Sequence, residues 1–120
     1  MPSPESQNGD VTVIFRKGES LIIPPFSLPR EARLDTETYE GTMHRLCEDH
    51  GVFGQVDYSI STEGLDDTLS MAYLAKVQKD EFEQSEFLIH RDEVKTHLHN
   101  HPYLSEAEKG LVSRALWLIR

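Results

Sequence analysis

The chain is 120 residues long, with 12 Lys and Arg against 21 Asp and Glu, a formal net charge of −9, and 38% apolar residues. That length fits one domain with a real core and leaves no room for two. The acidic balance argues against broad contact with nucleic acid phosphates, and no apolar run reaches the length needed to span a bilayer.

Residues 1–10, MPSPESQNGD, read as a flexible tail: they lack both a basic region and an apolar region, so a signal peptide is not expected. Cys47 is the single cysteine, which rules out an internal disulfide and a cysteine zinc site and fits a reducing, cytoplasmic setting. Val11 to about Pro24 contains two apolar runs split by Lys17-Gly18, a strand–turn–strand pattern that Pro24 and Pro25 should end. SLPREARLD reads as a loop.

DTETYEGTMHRLCEDHG reads as a helix capped by Asp35 or Thr36, with Glu37 at its positive end and Gly51 as its stop. Tyr39, Met43, Leu46 and His50 share one face, and Glu40, His44 and Glu48 another. Gly41 in mid-helix predicts close packing. VFGQVDYSI and LSMAYLAKV read as strands, QKDEFEQ as an acidic loop, EFLIH as a short strand and RDEVKTHLHN as a short helix or turn. LSEAEKGLVSRALWLI opens with a capping box, Ser105 to Glu108, and carries an apolar stripe of Leu111, Val112, Ala115, Leu116 and Ile119. Strands interleaved with helices predict an α/β or α+β sandwich.

The order of elements, and the segment HRLCEDHGV within it, resembles the Nudix (MutT-like) hydrolase family. The family box reads G-x5-E-x7-R-E-U-x-E-E-x-G-U, U being aliphatic. Leu46, Glu48, Gly51 and Val52 match its last part, and Asp49 is a conservative change. FSLP looks like the lead-in before the box, and EFLIHRDEV like a late strand and acidic turn. The resemblance covers Val11 to the C-terminus and implies a single α/β domain, 11–120, built as an α/β/α sandwich with a mixed central sheet.

Departures fall at the catalytic positions. Arg30 and Glu31 stand where two glycines follow the lead-in proline, and Arg30 also takes the box glycine. Thr36 takes the first glutamate, unless a one-residue slip offers Glu37. His44 replaces the arginine, and Arg45 replaces a glutamate that holds magnesium in active members. Positions 45, 48 and 49 share a helix face. Three carboxylates there would await a hard divalent cation, whereas Arg45 can lie across Glu48 or Asp49 as a built-in counter-ion.

The resemblance therefore implies a non-catalytic or weakly active protein that binds a nucleotide- or pyrophosphate-type ligand or a protein partner. The alternative is a hydrolase dependent on Mg2+ or Mn2+ that cleaves the pyrophosphate of a nucleoside diphosphate linked to another moiety. Glu48 and Asp49 would then hold the metal, Glu37 or Glu40 would assist, and Glu81 or Glu83 would be the general base. A third reading is a small structural subunit forming an oligomer, such as a homodimer, through strand edges or its last helix.

Arg30, Arg33 and Lys17 are candidates to meet phosphate near the helix start. His97, His99 and His101 alternate, so an extended segment would point all three imidazoles one way toward a metal, and a helix would spread them apart. Cys47, beside Glu48, reads as a packing residue, and Trp117 as core or interface and not as a base-stacking platform.

Overall fold

The computed structural model describes residues 9–24, 27–49, 54–65, 71–77 and 87–119. Among these lie six strands: β1 (Asp10–Lys17), β2 (Ser20–Ile22), β3 (Arg30–Ala32), β4 (Gly54–Ile60), β5 (Met71–Val77) and β6 (Leu88–His90). Three α-helices join them, α1 (Tyr39–Asp49), α2 (Val94–His99) and α3 (Glu106–Leu118), and a 3-10 turn over Arg91–Glu93 leads into α2.

The six strands form one mixed sheet in the order β4-β5-β1-β2-β6, with β3 paired to β1. Only the β1–β5 pair is parallel, running from Val11↔Met71 to Arg16↔Lys76. The other edge of β1 is shared end to end, Asp10–Thr12 by β3 and Phe15–Lys17 by β2. β1 and β2 close through Gly18-Glu19, where Gly18 has φ +59°, the left-handed backbone that a two-residue hairpin turn demands and glycine adopts without strain.

Alternation along β1 sorts the core into two halves. Val11, Val13 and Phe15 face α1, whose Met43, Leu46 and Cys47 pack on them together with Ala75 and Val77. Ile14 faces the other way, with Leu21, Ala72 and Leu74, onto Val94 and Leu98 of α2 and Leu111, Val112, Ala115 and Leu116 of α3. Helices therefore cover both faces of the sheet. The α3 capping box forms as predicted: Ser105 Oγ accepts from the Glu108 amide (3.1 Å), and Glu108 Oε1 accepts from the Ser105 amide (3.2 Å). The second Glu108 oxygen also accepts from the Leu28 amide (2.8 Å), pinning the segment before β3 to the start of α3.

Three readings of the sequence change. SLPREARLD is not all loop, because Arg30–Ala32 pairs with β1; this strand lies half-exposed and carries charge, so it lacks the apolar alternation that marks a buried strand. The cap of α1 is Thr38, whose Oγ1 accepts from the Gly41 amide (3.0 Å), and not Asp35 or Thr36. Residues 34–37 are held out of the helix by a turn in which the Glu37 amide donates to Leu34 O (3.0 Å). A Cβ at Gly41 would come within 3.2 Å of that cap oxygen, so the tight neighbour is the helix's own cap. Finally, of the two places read for Trp117, core or interface, the core is excluded: the ring is 72% exposed, since the α3 stripe turns Leu116 and Ile119 inward and Trp117 outward.

Candidate functional site

The start of α1 gathers the charged groups. Glu37 ends the 34–37 turn with one carboxylate oxygen taking three donors: the Leu34 amide (3.0 Å), Arg45 Nη2 (3.0 Å) and Thr42 Oγ1 (3.1 Å), the last also within reach of Thr38 O (3.2 Å). Its other oxygen accepts from Arg45 Nε (2.9 Å), completing a bidentate fork. Arg45 Nη1 reaches Glu31 Oε2 on β3 (2.8 Å), and Nη2 also donates to Ala32 O (2.8 Å). One guanidinium thus ties α1 to β3 and to the turn between them.

This differs from the pairing expected in the sequence. Arg45 bonds Glu37 and Glu31, and not Glu48 or Asp49. Helical side chains lean toward the N-terminus, so an arginine at 45 reaches back over the preceding turn and away from acids three and four residues ahead. Glu48 and Asp49 lie exposed in the last turn of α1, and Glu40 is exposed in its first. The charge of Glu40, after burial, helps push the Tyr73 phenol up.

The Arg45 bond, followed by the Leu34 amide, holds the Glu37 carboxyl down to about 2, and the same fork raises Arg45. A carboxylate depressed on folding adds stability that is complete above its unfolded value of 4.5 and is lost as pH falls from there toward 2. The stability gap between the parent and Glu37→Gln should therefore be constant above about pH 5 and close as pH approaches 2. Urea unfolding at several pH values measures it, and a gap independent of pH would contradict the pairing.

Of the cations near the helix start, Arg33 donates to Glu37 O (2.8 Å) and sits over the Tyr39 ring (5.1 Å). Lys17 ends β1 opposite Ser20, its Nζ buried. Arg30 holds Asp10 through Nε (2.8 Å) and Nη2 (2.6 Å) and lines a cleft of about 440 Å³ whose walls include Phe15, Ile22, Leu28 and Phe87. Glu81 and Glu83, the general-base candidates, lie outside the described residues, as does Phe26 of the lead-in.

Among the described residues, no group of three His, Cys, Asp or Glu side chains is placed to hold a metal ion. His97 and His99 fall on α2 and His101 beyond its end, so the three do not line one side as an extended segment would place them. His101 is instead buried at 7% exposure: Nε2 bonds Pro24 O (2.9 Å), and Nδ1 accepts from the amides of Tyr103 (3.2 Å) and Leu104 (3.1 Å). Two amides on Nδ1 fix the proton on Nε2. Cys47 is buried, with Sγ 3.5 Å from Met43 Sδ, in the packing role expected of it. No helix among the described residues is long and apolar enough to cross a membrane.

No protein-family model matches this sequence, and comparison with curated proteins finds no match.

Proposed function

We propose that the chain is a Nudix-like domain that binds a nucleotide- or pyrophosphate-type ligand without cleaving it. The observation that carries this reading is the Arg45 fork on Glu37 and Glu31. In the family pattern, position 45 is a carboxylate that helps hold magnesium. Here it is a permanent cation with four hydrogen bonds inside the protein, and it occupies two acids that would otherwise call for an external ion. A guanidinium cannot lower the pKa of a bound water as a divalent metal does. The described acids therefore do not fit a magnesium set.

The ligand's charge would be met by Arg30 at the cleft beside Phe15 and Phe87, where an apolar floor takes the organic part and the guanidinium takes phosphate.

Thermal unfolding with nucleotide sugars, dinucleoside polyphosphates and NADH, each with and without 10 mM Mg2+ (roughly the excess that reveals millimolar sites), tests this reading. The expected result is stabilisation by at least one compound, equal with and without magnesium, reduced in Arg30→Ala, and accompanied by no product. Magnesium-dependent turnover would establish the hydrolase reading instead, and no stabilisation by any compound would remove the ligand.

A further inference from the structure

Beyond the Arg30 cleft, the turn after α2 builds a second recess that the proposed function does not use. His101 holds residues 100–104 against the end of β2 through Pro24 O, and the fold-back leaves a cleft of about 350 Å³. Ile23 and Phe87 form one wall; His97, Asn100, Pro102 and Tyr103 form the other. Two of these rings show solvent a large surface, Phe87 at 36% and Tyr103 at 65% exposure.

His97 is the chemical centre of the cleft. Its ring stands edge-on to that of His101, with centroids 5.6 Å apart and planes at 75°. Partial burial, and then the neighbouring imidazole, lower its pKa, so at pH 7 it is neutral and offers one donor and one acceptor. Among the described residues neither ring nitrogen has a hydrogen-bond partner. Asn100 adds an amide with the same double capacity. Among the described residues no Lys, Arg, Asp or Glu lines the cleft, so these walls offer a charged ligand no counter-charge for the water it would shed.

We infer that this cleft binds an uncharged planar heteroaromatic ring bearing a hydrogen-bond donor beside an acceptor, as a nucleobase does, held against Phe87 and Tyr103 and read by His97 and Asn100. Apolar walls with a few convergent polar groups are the usual make-up of a small-molecule site, and this volume falls at its lower bound. The inference is independent of the Arg45 reading: among the described residues the two clefts share Phe87 alone, and Arg45 lines neither.

The test is an NMR titration of the full chain with adenosine, uridine, adenosine monophosphate and toluene, following the ring protons of His97 and Tyr103. Saturable shifts with at least one nucleoside are expected, with toluene about tenfold weaker, the equivalent of one hydrogen bond. The monophosphate should bind no more tightly than adenosine. His97→Phe, which keeps a ring and removes the nitrogens, should weaken nucleoside binding about tenfold, as should Tyr103→Ala, an exposed change that spares the core. Arg30→Ala should leave it unchanged. No saturable shift, or toluene binding as tightly as the nucleosides, would overturn the proposal. Monophosphate binding that is stronger and lost in Arg30→Ala would overturn it too, by moving the ring to the other cleft.

Discussion

The His101→Ala variant is expected to unfold about 3 kcal/mol more easily than the parent in urea, with an unchanged dependence on denaturant. Alanine leaves the Tyr103 and Leu104 amides and Pro24 O without the imidazole, at a position only 7% exposed. Each buried polar group left unpaired costs about 1–3 kcal/mol, and water entering the gap recovers part of the sum. His101→Asn should regain roughly half, since a side-chain carbonyl can accept from the two amides but is too short to span to Pro24. A loss under about 1 kcal/mol for alanine would mean the ring is not the tie between the 100–104 turn and β2.

The second large effect reverses a pH response. Arg45→Glu removes the guanidinium and sets a third carboxylate beside Glu31 and Glu37. At pH 7 and low salt the variant should unfold far more easily than the parent. Between pH 7 and 4.5, where the parent is flat with respect to this cluster, the variant should gain stability as repelling carboxylates take up protons. Divalent metal should produce the same rescue at neutral pH, since oxygen ligands on one face are then uncompensated. With Mg2+ or Mn2+ a hundredfold above its dissociation constant, the gain would be about 2.7 kcal/mol. Thermal unfolding with and without metal at pH 7 and pH 5 reads both. A variant that metal leaves unmoved and acid weakens would show that Arg45 is not a counter-ion to this cluster.

Much of the architecture is legible in the sequence. The strand pair around Gly18, the apolar stripe and capping box of α3, and the strands beginning near Gly54 and Met71 all rest on local signals of period, turn and cap. What escaped reading was decided by distant partners. β3 exists because Asp10–Thr12 offers it a free edge, a fact of pairing that leaves no mark within Arg30–Ala32. Thr38 won the cap over Asp35 and Thr36 because the Glu37 side chain closes a turn on Leu34 ahead of it. The sequence marks Arg45 as the decisive charge, but helical spacing alone points it to Glu48 and Asp49 and not to its actual partners. The direction in which helix side chains lean, together with the eight-residue gap to Glu37, was the signal that would have found one of them. Glu31 comes from another strand, and no spacing rule reaches it.

The parallel pairing of β1 with β5 has a consequence for how the chain is made. Val11 meets Met71, its neighbour in the sheet, only after sixty further residues have left the ribosome. Until then the β1–β2 hairpin carries an open edge and two bare rows of Val, Ile and Phe, the kind of surface that recruits other nascent strands. Closing so wide a gap is slow, so the interval between translating Lys17 and translating Val77 is when the apolar surface of this sheet is most open to misassociation.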